Sequence, residues 1–72
     1  MQRYLNFNGD SGVTHYEIGS DYILIQFRSG KPYRYSYASA GRHHVEQMKV
    51  LATAGRGVST YIGQHVRHLY ES

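Results

Sequence analysis

Two alternating runs a short loop apart constrain this chain more than any other feature. Ile23, Ile25 and Phe27 alternate with Leu24, Gln26 and Arg28, and Tyr33, Tyr35 and Tyr37 alternate with Arg34 and Ser36. This is the period-2 pattern of strands with one buried face. A three-residue loop, Arg28-Ser29-Gly30, joins them, with Gly30 supplying the left-handed residue such a loop needs. That loop sets Ile25 opposite Tyr33 and Ile23 opposite Tyr35, so the aliphatic and tyrosine rows share a face. A two-residue loop would oppose Ile25 to Arg34 and mix the faces.

The neighbouring segments extend the same pattern. Val13 to Ile18 reads as a further strand. A tight turn at Ser20-Asp21 pairs Ile18 with Ile23 and Tyr16 with Ile25, and a bulge near Thr14-His15 brings Val13 into phase. Pro32 opens the last strand, which suits an edge, where a missing N–H breaks no ladder. Downstream, Ser39 is placed to cap a helix from about Ala40 to Ala54. Val45, Met48, Leu51 and Ala52 form its apolar stripe, and Gly55 ends it as a left-handed cap. A second helix follows from about Ser59 to His68, with Val58, Tyr61, Ile62, His65, Val66 and Leu69 as its stripe and Gly63 as a mild weakness. Neither helix is stable alone at these lengths, so both must dock on the sheet.

The expected fold is therefore α+β: a three-stranded antiparallel β-meander followed by two α-helices packed on one face, in the order β-β-β-α-α. Residues 1–10 precede a single domain of residues 11–72. They end in turn chemistry at Asn8-Gly9-Asp10 and alternate over Tyr4-Leu5-Asn6-Phe7. An extra N-terminal edge strand, a partner-binding arm and a frayed tail are the alternatives. A strand is favoured because Leu5 and Phe7 would be wasted on a solvated tail.

Composition excludes several function classes. With 72 residues the chain lies near the lower limit for folding on one apolar core, and with no Cys it has no disulfide, zinc ribbon or thiol nucleophile. No apolar run approaches a membrane span and the Met1 end lacks a signal-peptide layout, so a cytoplasmic location is expected. The five acids include no pair spaced as a catalytic acid and base, and so small a core leaves little room for a water-excluding cleft. No enzyme and no cofactor are expected. His43-His44 and His65/His68 tempt towards metal, but adjacent helical histidines diverge by about 100° and no carboxylate stands at ligand spacing. They read as surface histidines.

The ordered motifs also carry a resemblance. Val13, Tyr16 and Ile18 in one strand, Ile23, Ile25, Phe27 and Gly30 in the next, Tyr33-Arg34-Tyr35, then Gly55, Gly57, Tyr61 and Ile62 resemble the KTSC domain. That is a short bacterial and phage module named for its place at the C-terminus of some lysyl-tRNA synthetases. The resemblance covers roughly residues 11–67. Ala38-Ser39-Ala40 stands where a Val-Pro pair is usual, and residues 1–10 have no counterpart. The family has no established activity and offers no catalytic residue; RNA binding is a suggestion attached to it because of the synthetase linkage.

Two functional readings follow. The first is an accessory module binding RNA or another polyanion, since the net charge of +3 is concentrated after Tyr22 and the chain holds eight tyrosines. Its candidate residues are Arg28, Lys31, Arg34, Arg56 and Arg67, with Tyr22 or Tyr33 stacking on bases. The turn Gly55-Arg56-Gly57 before Ser59-Thr60 is a candidate anion site, weighed against a plain helix connection capped by Ser59. Tyr33 and Tyr35 read first as core residues, which leaves His15, Glu17, Tyr22, Leu24, Gln26, Arg34 and Ser36 on the open face of the sheet. The second reading is a protein-interaction module or homodimer built on Leu5, Phe7, Tyr22 and Leu24.

Overall fold

The computed structural model describes residues 1–7, 9 and 12–71. The chain forms four strands, β1 (Gln2–Arg3), β2 (Val13–Ile18), β3 (Tyr22–Phe27) and β4 (Tyr33–Ser36), in one antiparallel sheet of order β1-β2-β3-β4. Helices α1 (Tyr37–Ala40), α2 (Arg42–Ala54) and α3 (Val58–Tyr61) follow, and α3 continues as a π-helical turn at Ile62–Val66.

The central register is the expected one. Ile18 pairs with Ile23, Tyr16 with Ile25, Ile25 with Tyr33 and Ile23 with Tyr35, while the β2–β3 register shifts between Val13 and His15 as a bulge at Thr14. Val13, Tyr16, Ile23, Ile25 and Tyr35 are all buried on the helix side, against Val45, Met48, Ala52, Val58, Ile62 and Val66. Burying one face of the sheet fixes this register, because a one-residue slip would turn every apolar side chain to water.

The β3–β4 loop is wider than the three residues expected. Strand pairing ends at Ile25–Tyr33. Pro32, the residue before Tyr33, has no N–H to extend the ladder. The Gln26 side chain closes the loop instead, its Nε2 donating to the carbonyls of Phe27 (2.7 Å) and Gly30 (3.1 Å). Gly30 does take the left-handed conformation, with φ +85°.

The helical half departs from the expected outline in three places. Ser36, rather than Ser39, is the N-cap: its Oγ accepts from the Ser39 N–H, and Ser39 Oγ accepts from the Ser36 N–H, a reciprocal capping box. Tyr37 therefore leaves the sheet and starts α1, and Ser36, expected on the open face, is buried. Gly41, at φ +95°, then breaks the helix into α1 and α2. Finally, α3 starts at Val58 with Gly57 as N-cap, so Ser59 is not the cap. Val58, Ile62 and Val66, every fourth residue, are all buried. An α-helix carries every fourth residue about 40° past the last, and the wider π turn takes back part of that drift.

Polar contacts fix α1 and α2 to each other and to the sheet. The Tyr37 hydroxyl donates to Glu46 Oε2 (2.6 Å), which also meets Lys49 Nζ (2.7 Å), and Lys49 Nζ donates to the Ser20 carbonyl (3.2 Å). Lys49 first, then the Tyr37 hydroxyl, hold the Glu46 carboxyl below its ordinary range.

The N-terminal segment is an edge strand, but displaced from Tyr4–Phe7. Only Gln2 and Arg3 pair with β2, opposite Tyr16 and His15. The chain then crosses to the helices: the Tyr4 N–H donates to the Thr14 carbonyl (2.9 Å) and the Phe7 N–H to the Gly55 carbonyl (2.8 Å). Tyr4 is buried, and its hydroxyl accepts from the Val58 N–H (3.4 Å). The expected turn at residues 8–10 lies largely outside the described residues.

Gly55 closes α2 at φ +79°, and a Cβ there would sit 2.9 Å from Leu5 Cβ and 3.1 Å from the Phe7 ring. Gly55→Ala is expected to cost at least about 1 kcal/mol from backbone strain alone. It should also lift residues 5–7 from the turn. A lowered melting temperature with faster hydrogen exchange at the Phe7 amide would register both effects; unchanged exchange would show that the segment does not depend on this close approach.

Candidate nucleic-acid interface

The hairpin mouth gathers aromatic side chains. Tyr33 faces the same side as Ile25 but lies beyond the helical cover, so it is 40 % exposed while Tyr35 is 1 % exposed. The chain end returns here: Tyr70 stacks on Tyr33 with ring centroids 4.6 Å apart and planes 29° apart, and it meets Tyr35 edge-on at 6.3 Å. Phe27 packs edge-on against Tyr33 at 5.6 Å. The Glu71 N–H donates to the Arg34 carbonyl (2.7 Å), so the tail covers part of the β4 edge. The expectation of core tyrosines thus holds for Tyr35 alone. Burial, reinforced by the nearby Tyr33 and Tyr70 hydroxyls, pushes the Tyr35 phenol up to about 12.

The candidate cations fall into separate groups. Arg28 and Lys31 are exposed in the loop between Phe27 and Tyr33 and form no ion pair among the described residues. Arg34 is committed elsewhere: its guanidinium lies 3.9 Å from the Tyr22 ring centroid, and its Nε is 3.0 Å from Glu71 Oε1. The Ser36 hydroxyl first, then Arg34, hold the Glu71 carboxyl below its ordinary range. Arg34 covers one face of the Tyr22 ring, and Tyr22 donates its hydroxyl to Glu17 Oε2 (3.1 Å), so the two side chains are engaged with each other. Arg56 lies over the Phe7 ring at 5.6 Å, and Arg67 is exposed after the π-helical turn. Only Arg28, Lys31 and Tyr33 of the candidate set come together at the hairpin.

The Gly55-Arg56-Gly57 turn is already occupied by the protein itself. Tyr4 takes the Val58 N–H, and Leu5 and Phe7 pack on Gly55. The four interface candidates are also divided. Leu5 and Phe7 are exposed beside the Gly55 turn, whereas Tyr22 and Leu24 are half-buried on the open face of β3.

The histidines group differently from their sequence spacing. His44 Nδ1 lies 2.7 Å from the Tyr61 hydroxyl, and His44 and His65 stack 5.9 Å apart, while His43 touches His44 edge-on. Burial raises the Tyr61 phenol above its ordinary range. Among the described residues no group of three possible ligands is disposed to hold a metal ion, and no helix is long and apolar enough to cross a membrane.

Two contributors escaped the sequence reading. Tyr70 sits in a terminal segment without periodicity, and Arg3 joins Arg28 only because β1 adds to the sheet edge. Comparison with protein-family models, curated proteins and solved structures gives no match.

Proposed function

We propose that the chain is a small, non-enzymatic module that binds single-stranded nucleic acid, RNA in the first instance, at the β3–β4 hairpin. The observation that carries this reading is the exposed Tyr33–Tyr70 stack next to a loop bearing two cations, Arg28 and Lys31, that form no ion pair among the described residues. An aromatic platform beside positive charge suits unstacked bases and their phosphates, because every base has a π-face and every linkage a negative charge. The resemblance of the strand and turn motifs to the KTSC domain points the same way. Arg34, tied to Glu71, has a positioning role in this reading and does not meet phosphate.

Titration of short single-stranded RNA and DNA at two salt concentrations tests the proposal. Affinity should fall steeply with salt, and Tyr33→Ala should weaken binding by about tenfold, in line with ~1–3 kcal/mol for a stacked base. Binding that ignores both salt and Tyr33→Ala would sink the reading. A protein that binds neither polymer but sediments as a dimer, and becomes a monomer on Leu24→Asp, would favour a protein-interaction module instead.

A further inference from the structure

The open face of the sheet has two ends of different character. Towards the β2–β3 turn, Glu17, Tyr22 and Arg34, joined by Glu71, form a closed polar chain. Towards the bulge, the face opens into a groove of about 510 Å³ lined by Arg3, Thr14, His15 and Arg28, with Leu5 and Asn6 beside them. This volume lies within the ~300–1,000 Å³ typical of small-ligand sites. Among the described residues lining it there is no carboxylate.

The backbone holds this groove's polar groups in place. Arg3 is set opposite His15 by the β1–β2 pairing, and the next N–H, that of Tyr4, donates to the Thr14 carbonyl. The Arg28 N–H donates to the Gly12 carbonyl (3.0 Å), fixing the far side. At the bulge, Thr14 Oγ1 donates to the Gln26 carbonyl (3.3 Å) and meets His15 Nδ1 at 3.1 Å, which leaves Nε2 as the imidazole's other polar atom. Both ion pairs among the described residues involve other cations, so Arg3 and Arg28 have no carboxylate partner there. Two guanidiniums, each a planar fork of donors, flank the groove, and no carboxylate stands among its described lining residues. This set matches the oxygens of a phosphate.

We propose that the groove between the N-terminal strand and the β2 bulge is a phosphate-binding site, with Arg3 and Arg28 as the charged clamp and Thr14 and His15 lining the floor between them. The inference shares Arg28 with the nucleic-acid reading but does not require it, because a free phosphate, a phosphomonoester or a backbone phosphodiester presents the same oxygens. Arg3 is the residue that separates the two, since it takes no part in the Tyr33–Tyr70 platform.

The test is a nuclear magnetic resonance titration of the intact chain with inorganic phosphate, then with a short oligonucleotide carrying either a 5′-phosphate or a 5′-hydroxyl. Phosphate should shift the Arg3, His15 and Arg28 signals along saturating curves, and Arg3→Gln or Arg28→Gln should each weaken that binding by about tenfold. Tyr33→Ala should leave it unchanged. Resonances of Ile23 and Met48, in the core, report whether each variant keeps its fold. If Arg3→Gln weakens oligonucleotide binding whether or not the 5′-phosphate is present, the site takes a backbone phosphate. If it weakens only the 5′-phosphorylated form, or affects inorganic phosphate alone, the site takes a phosphomonoester or free phosphate. Shifts that never saturate, or saturation untouched by both substitutions in a folded protein, would overturn the site whether or not Tyr33 proves to bind nucleic acid.

Discussion

Replacing Tyr4 by alanine is expected to cost about 3–5 kcal/mol, the range for removing a buried aromatic ring. Tyr4 is only 3 % exposed, part of the core cluster, and its hydroxyl meets the Val58 N–H. A domain of 72 residues has on the order of 4–11 kcal/mol of stability in total. Tyr4→Ala should therefore leave the chain at the edge of unfolding. Tyr4→Phe keeps the ring but leaves the buried Val58 N–H without its acceptor, so its cost should be about 1–3 kcal/mol. Urea denaturation of the three proteins measures both. A Tyr4→Ala midpoint close to the wild type would show that the N-terminal segment is dispensable to the core.

Stability should also fall steeply in alkali, by about 2–3 kcal/mol between pH 10 and 12, because of Tyr35. Its phenol is raised from an ordinary value of 10 to about 12 by burial. Between those values the unfolded chain releases this proton and the folded chain retains it. Unfolding is therefore favoured progressively as pH rises, and the contribution is fully present only below pH 10. Tyr37, through its hydrogen bond to Glu46, and Tyr61, through burial, are raised as well and add to the slope. Tyr35→Phe removes the largest part of it. Denaturation curves across this range should show the variant losing less stability than the wild type; parallel losses would place the alkaline sensitivity elsewhere.

How much of this was legible beforehand differs from one element to the next. The β2–β3–β4 meander and its register follow from local patterns, because alternation, the Gly30 turn and the bulge all have to agree on one buried face. The stripe Val45, Met48 and Ala52 and the Gly55 cap are equally local. The start of the first helix was misplaced because two serines three residues apart can each cap. Only the reciprocal bonds of Ser36 and Ser39 decide between them. The break at Gly41 has no periodic signal at all.

Of the candidate site, the exposed loop cations Arg28 and Lys31 could be read from the hairpin, since a turn tip is solvated by construction. The fates of Arg34 and Tyr33 could not. The return of residues 70 and 71 along β4 pairs Arg34 with Glu71 and lays Tyr70 on Tyr33. Burial of Tyr4 and the meeting of Arg3 with Arg28 around one groove have the same origin. By itself, the sequence determined which residues alternate, turn and cap, because those choices are settled by sterics and burial within a few neighbours. Tertiary structure alone decided which distant side chains became partners, because a terminal segment without periodicity finds its place only on a surface that the rest of the chain has already built.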